Sequence, residues 1–206
     1  GYRTMLFQKL YLDAGYYYSW YKDFIGYKIG IRSGFNAINF PVGTRVYRVA
    51  SNAQTQVTTQ GFNIGGNYFM GTYYSLSGNY SWNVLNKKGT EDPIIPAFNT
   101  PENKFNVGLS GQNMPINIFG SQIKNVGFNI NYKWIEGFLF EGSPQFTGEI
   151  PTYDLFDAQV NWEAERLGLT IKLGASNLLN KKQFQTYGGP RVGRLAYISF
   201  LYESKS

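Results

Sequence analysis

The residues from Tyr73 to Val84 alternate strictly enough to limit what this chain can fold into. The even positions are Tyr74, Leu76, Gly78, Tyr80, Trp82 and Val84, and the odd ones are Tyr73, Ser75, Ser77, Asn79, Ser81 and Asn83. Successive side chains of a β-strand point to opposite faces, so one face here is apolar and aromatic while the other is nearly all Ser and Asn. At roughly 3.3 Å per residue the segment can cross a bilayer core even when tilted. The same grammar recurs along the chain. In Leu10–Lys22, residues Leu10, Leu12, Ala14, Tyr16, Tyr18 and Trp20 oppose Asp13, Gly15, Tyr17 and Ser19. In Val126–Trp134, Val126, Phe128, Ile130, Tyr132 and Trp134 oppose Gly127, Asn129, Asn131 and Lys133. In Phe156–Glu163, Phe156, Ala158, Val160 and Trp162 oppose Asp157, Gln159, Asn161 and Glu163. Shorter instances are Phe105–Gly111, Leu169–Ser176 and Leu195–Tyr202, and Thr44–Phe69 is expected to be one long strand. These make eight strands, with Gly1-Tyr2-Arg3 as the tail of a ninth.

Composition separates the two all-β architectures that could carry this pattern. A soluble sandwich also alternates, with one face of each sheet buried and the other wet. Here aromatics reach 18%, with 17 Tyr and 16 Phe, while charged residues are only 16%, against roughly 25% in soluble domains. The polar face carries Ser, Asn and Gly more than Lys and Glu, which suits a watery lumen. Tyr and Trp recur at strand ends (Trp20-Tyr21, Tyr68, Trp82, Trp134, Trp162), where an interfacial girdle belongs. Mean hydropathy is negative and no run approaches a spanning helix, so a helical membrane protein is excluded. The expected fold is therefore an antiparallel transmembrane β-barrel.

Connections alternate in length, and this sets a direction. Thr4–Lys9, Phe69–Thr72 and Ala164–Gly168 are short; Phe24–Gly43, Leu85–Asn103, Ile135–Thr152 and Leu178–Gly193 are long. Outer-membrane barrels have short periplasmic turns and longer external loops. The long loops are thus expected outside, and the last strand runs down to a periplasmic C-terminus. Gln112–Gln122, of intermediate length, falls on the periplasmic side.

The residues offer little chemistry. Without Cys or His there is no disulfide framework, thiolate metal site or imidazole triad. Gly188-Gly189-Pro190-Arg191-Val192-Gly193-Arg194 lacks the Gly-Lys-Ser/Thr ending of a phosphate loop and reads as a turn onto the final strand. Asp157 and Glu163 share a strand face, but six residues separate them by roughly 20 Å, beyond the range for acid/base work on one bond. Asp154 and Glu165 read likewise as solvated carboxylates, and Glu91-Asp92 is a weak calcium candidate in a loop. The net charge of +6 is scattered in ones and twos, such as Lys87-Lys88 and Lys181-Lys182, without the clustered footprint of a nucleic-acid binder. No enzyme activity, catalytic residue, cofactor or metal is expected, and no ligand-binding residue can be assigned.

Near the end, Gly174-Ala175-Ser176-Asn177-Leu178-Leu179-Asn180-Lys181-Lys182, then Gly193-Arg194 and an aromatic-ended strand, resembles the C-terminal signature of TonB-dependent receptors. Asn177-Leu178-Leu179-Asn180 is similar to their N-L-[FL]-[ND] element, and Gly193-Arg194 to the G-R that opens the closing strand. Tyr21-Lys22-Asp23-Phe24-Ile25 and Phe98-Asn99-Thr100-Pro101-Glu102-Asn103-Lys104-Phe105 resemble barrel segments of the Bacteroidetes members. The resemblance implies an outer-membrane receptor importing a glycan, peptide or metal chelate by energy-coupled transport. Residues 1–206 would be the C-terminal part of a barrel of about 22 strands. The plug and TonB box would lie N-terminal to them, with an export signal upstream of Gly1. Expected partners are outer-membrane lipid, the remaining strands and plug of the same receptor, and TonB through the plug-bearing part. Glycan-importing members add a surface lipoprotein. Tyr202 is followed by Glu203-Ser204-Lys205-Ser206, where the family usually ends on an aromatic. The alternative is a self-contained small barrel acting as anchor or adhesin, in which first and last strands pair.

Overall fold

The computed structural model describes residues 1–38, 41–87, 98–142 and 146–203. In chain order the strands are β1 (Tyr2–Leu6), β2 (Leu10–Tyr21), β3 (Ile25–Phe35), β4 (Pro41–Asn52), β5 (Val57–Met70), β6 (Tyr74–Lys87), β7 (Asn103–Ile118) and β8 (Ser121–Ile135). There follow β9 (Phe138–Phe140), β10 (Gly148–Ile150), β11 (Tyr153–Ala164), β12 (Leu169–Ser176), β13 (Gln183–Phe184), β14 (Arg191–Val192) and β15 (Leu195–Tyr202). Nine of them form one antiparallel sheet in the order β1-β2-β5-β6-β7-β8-β11-β12-β15. The other six make three hairpins, β3 with β4, β9 with β10 and β13 with β14. Set the hairpins aside, and every strand pairs with its successor in the chain. All three lie at one end of the sheet, and the turns at the other end are short. The fold is all-β, and the long and short connections alternate.

Register shows that the alternation is shared by the whole sheet. Ala14, Ile64, Tyr80, Phe105 and Trp134 stand in one cross-strand row. The neighbouring row on the opposite face is Asp13, Gly65, Asn79, Asn106 and Lys133. The apolar face has an aliphatic middle, with Leu76, Leu109, Ile130 and Ala158 in one row. Aromatics flank that middle on both sides. Toward the long loops, Phe62 packs against Trp82 at 5.7 Å and Phe105 stacks on Trp134 at 5.5 Å, centroid to centroid. Toward the short turns, Tyr74 meets Phe128 at 6.3 Å. Aromatic girdles around an aliphatic belt are the outer surface of a membrane barrel.

Burial makes the same point energetically. Among the described residues the only buried hydrophobics are Ala53, Val57, Met114, Ile150 and Ala175. Leu76, Val160, Leu173, Ile198 and Phe200 are each more than 40% exposed. The accessible surface is 14,270 Å², whereas a water-soluble monomer of this mass exposes about 9,700 Å². A sandwich would have hidden one face of this sheet; here that face is bare. Among the described residues the sheet is also open, since β1 and β15 each have a single neighbour.

Four expectations need correction. The tail of a ninth strand is present but longer than Gly1-Tyr2-Arg3: β1 pairs with β2 from Tyr2↔Ala14 to Leu6↔Leu10, so Thr4–Leu6, expected in the turn Thr4–Lys9, are strand. Thr44–Phe69 is two strands, because the chain leaves the ladder at Ala53–Gln56 and β4 turns back onto β3. The described residues of Phe24–Gly43, expected as a loop, accordingly belong largely to a hairpin arm. Gln112–Gln122 is mostly strand, with β7 and β8 continuing to a two-residue turn at Phe119-Gly120. Register shifts between Gly111 and Ile116 accommodate Pro115, which has no N–H for a ladder.

Candidate functional site

The polar face holds the candidate site. Gly65 contributes no side-chain bulk to this face, and a groove of about 460 Å³ runs over it across β2, β5, β6, β7 and β8. Its walls include Tyr11, Asn67, Ser77, Asn79, Asn106 and Lys133. Asn106 Nδ2 donates to Asn79 Oδ1 at 2.7 Å, and Ser75 and Ser110 share a 2.7 Å hydroxyl bond further down. Two ion pairs on this face cross strands, Arg3 with Asp13 and Lys133 Nζ with Asp157 Oδ2 at 2.9 Å. Asn67 Oδ1 is buried without a hydrogen-bond partner, a free acceptor in the wall of the groove. Such a surface can bind hydroxyls, amides and N–H groups. Among the described residues no group of three or more His, Cys, Asp or Glu gathers to hold a metal.

Two glycines on the same face seat tyrosines. The Tyr17 ring lies over Gly61 and its hydroxyl donates to Asn83 Oδ1 at 3.0 Å. Tyr197 crosses Gly174 and donates to Gln159 Oε1 at 2.7 Å. Sequence placed Tyr17 on the polar face; what it could not show was the glycine beneath it.

At the long-loop end the connections are tied to one another. Asn99 Nδ2 donates to the Glu141 carbonyl at 3.1 Å while Asn99 Oδ1 accepts from the Glu141 N–H at 2.7 Å. Glu102 Oε1 accepts from Trp82 Nε1 at 2.9 Å, and Glu136 Oε2 accepts from the Asn103 N–H at 3.0 Å. Thus three residues of the Phe98–Phe105 segment join its loop to the next loop and to the wall. The Tyr187 ring covers Gly148 and the Phe146 ring covers Gly188, so the last two loops are locked reciprocally.

Asn177-Leu178-Leu179-Asn180 forms a hydrogen-bonded turn. Asn177 is buried with φ +50, a left-handed conformation that Asn tolerates better than most residues. Its Oδ1 accepts from the Lys181 N–H at 2.9 Å, and its Nδ2 donates to the Lys181 carbonyl at 2.6 Å. Its own N–H donates to Asp157 Oδ1 at 2.8 Å. Asn180 Oδ1 accepts from the Arg194 N–H at 2.9 Å, which fixes the start of β15.

Three of the carboxylates singled out in the sequence are engaged in structure. Asp157 links Lys133 to the Asn177 turn, Asp154 pairs with Lys181, and Glu165 Oε1 accepts from Asn125 Nδ2 at 2.7 Å. Glu91-Asp92 lies outside the described residues. Gly188–Arg194 is a turn leading into a strand, with Gly188 at φ +75. The basic residues are less scattered than their spacing suggested. Register sets Arg32 opposite Arg45 in the β3–β4 hairpin, which also holds Lys28 and Arg48.

Residues 1–178 match the family described as TonB dependent receptor-like, beta-barrel. The chain belongs to that family of outer-membrane β-barrels. Similar solved structures include the FrpB iron transporter from Neisseria meningitidis, at 14% identity and a TM-score of 0.61, covering 94% of this chain and 29% of that one. The copper transporter OprC gives 14% identity and a TM-score of 0.66, over 92% of this chain and 28% of that one. The ferric-catecholate import receptor Fiu from E. coli K12 gives 14% identity and 0.58, over 95% and 25%. At that identity these show the shared fold alone, and this chain spans between a quarter and a third of their lengths. No curated protein sequence gives a significant match.

Proposed function

We propose that these residues are the C-terminal wall of an outer-membrane receptor that imports an external ligand by TonB-coupled transport. Plug and TonB box belong, on this reading, to parts of the protein outside these 206 residues. The observation that carries it is a single sheet with a lipid-suited face, an amide-lined face and two unpaired edges. Open edges need further strands, because unpaired N–H and C=O groups have no partner within a bilayer. The long loops face outside and β15 descends to the periplasm. The three similar structures are named for iron, copper and ferric-catecholate transport, which favours a metal or metal chelate over other cargo. The chain supplies wall and loops and no reaction chemistry.

Refolding the 206-residue chain by itself into detergent tests the proposal. A wall segment with two bare edges aggregates. A heat-modifiable monomer on gels would instead mean that β1 and β15 can close on each other, and the anchor or adhesin reading would replace this one.

A further inference from the structure

The β3–β4 hairpin stands apart from the wall. It is its own two-stranded sheet, rooted where Phe24 and Leu85 pack on buried Ala53 and Val57. Isolated two-stranded hairpins are marginal in water. This one adds a charge problem, since residues 25–52 hold Lys28, Arg32, Arg45 and Arg48 and no Asp or Glu. Arg32 lies directly opposite Arg45, with Lys28 on the same face. Like charges paired across strands repel. Arg48 stacks on the Tyr27 ring at 3.5 Å, and among the described residues none of the four has a carboxylate partner. The opposite face is mostly aliphatic and exposed, with Ile25 69%, Ile29 41%, Ile31 69% and Val46 47%; Arg48 stands on it opposite Ile29, while Tyr47 and Val49 share the face of Lys28, Arg32 and Arg45.

An arm with one mostly aliphatic face and three uncompensated cations on the other suits the boundary between acyl chains and anionic headgroups, where long cationic side chains reach phosphate from an apolar bed. Its position agrees. The arm leaves the wall five residues beyond Trp20, whose 66% exposed ring sits on the outward face at the long-loop end. On the proposed membrane placement, that is headgroup level. We infer that the β3–β4 hairpin lies on the outer leaflet and binds its phosphate-bearing lipid headgroups through Lys28, Arg32 and Arg45. The inference rests on the membrane reading above.

The test uses the whole receptor in lipid nanodiscs of phosphatidylcholine alone or mixed with phosphatidylglycerol. An environment-sensitive dye is attached through Ala37→Cys at the exposed hairpin tip, these residues having no other Cys. Neutral acrylamide serves as the aqueous quencher. The expected result is a several-fold drop in quenching in the anionic discs only. That protection disappears when salt shortens the Debye length to about 3 Å, and in the K28Q/R32Q/R45Q variant. Equal protection in both discs, or none in either, overturns the inference; the second result leaves the arm to a protein partner or the cargo. Insertion into discs and heat-modifiability are scored on the same samples. A receptor that fails to insert refutes the membrane reading, whereas an inserted one with an unresponsive arm refutes only this step.

Discussion

Side chains with two partners hold the wall to its loops. Asn177 combines a left-handed backbone with two amide bonds to Lys181. Asn177→Ala removes both bonds, together with a longer one at 3.4 Å to the Val192 carbonyl, and leaves a methyl-bearing residue at positive φ. The expected loss is about 3 kcal/mol, summing about 1 per hydrogen bond and about 1 for the backbone. A urea titration of the intact receptor in detergent measures it. Asn177→Gly should recover the backbone part, and if Gly is no better than Ala the φ argument is wrong. Gly174 offers a cleaner test. A Cβ there would fall 2.6 Å from the Tyr197 ring. Gly174→Ala should therefore destabilise with Tyr197 present and cost little in a Tyr197→Ala background, a coupling of about 1 kcal/mol or more in a double-mutant cycle. Additive effects would show that the ring simply moves aside.

Strands and turns show why some elements were legible in the sequence and others were not. Between Tyr73 and Val84 each face of β6 meets one uniform environment along its length, so a period of two is written in the residues. The β3–β4 arm is exposed on both faces, and its glycines at 26, 30 and 34 read as loop. Nothing selected a clean alternation there, and the break at Ala53–Gln56 has no Gly or Pro to mark it. In β7 the register shifts around Met114 put the pattern out of phase, which hid several residues of strand. Polarity of the candidate face was readable, but its partners were not. Asp157 with Asn177 and Asn99 with Glu141 are joined across 20 and 42 residues, which only pairing of the intervening strands brings together. The β7–β8 turn yields a prediction at this scale. Phe119 and Gly120 both have positive φ, at 48° and 80°. Phe is costly there and Asn is not, so Phe119→Asn should stabilise the receptor by about 1 kcal/mol. Denaturant unfolding in detergent checks it, and a loss would show that the exposed ring is an anchor worth more than the strain.

For the molecule as a whole, the decisive quantity is the environment of each face. Two edges without partners, a bare aliphatic belt and an amide-lined groove are coherent only if lipid covers one side and water the other. In water the apolar face would leave thousands of Å² unburied at about 25 cal/mol per Å², a cost no domain of this size carries alone. Cysteine scanning of β6 in the receptor assembled in its membrane tests this most directly, because these residues contain no Cys. Single cysteines at positions 75 to 81 are probed with a small water-soluble thiol reagent. Ser77→Cys and Asn79→Cys should react, Leu76→Cys and Tyr80→Cys should stay protected, and reactivity should alternate with a period of two. Uniform or inverted reactivity along the strand would contradict the account.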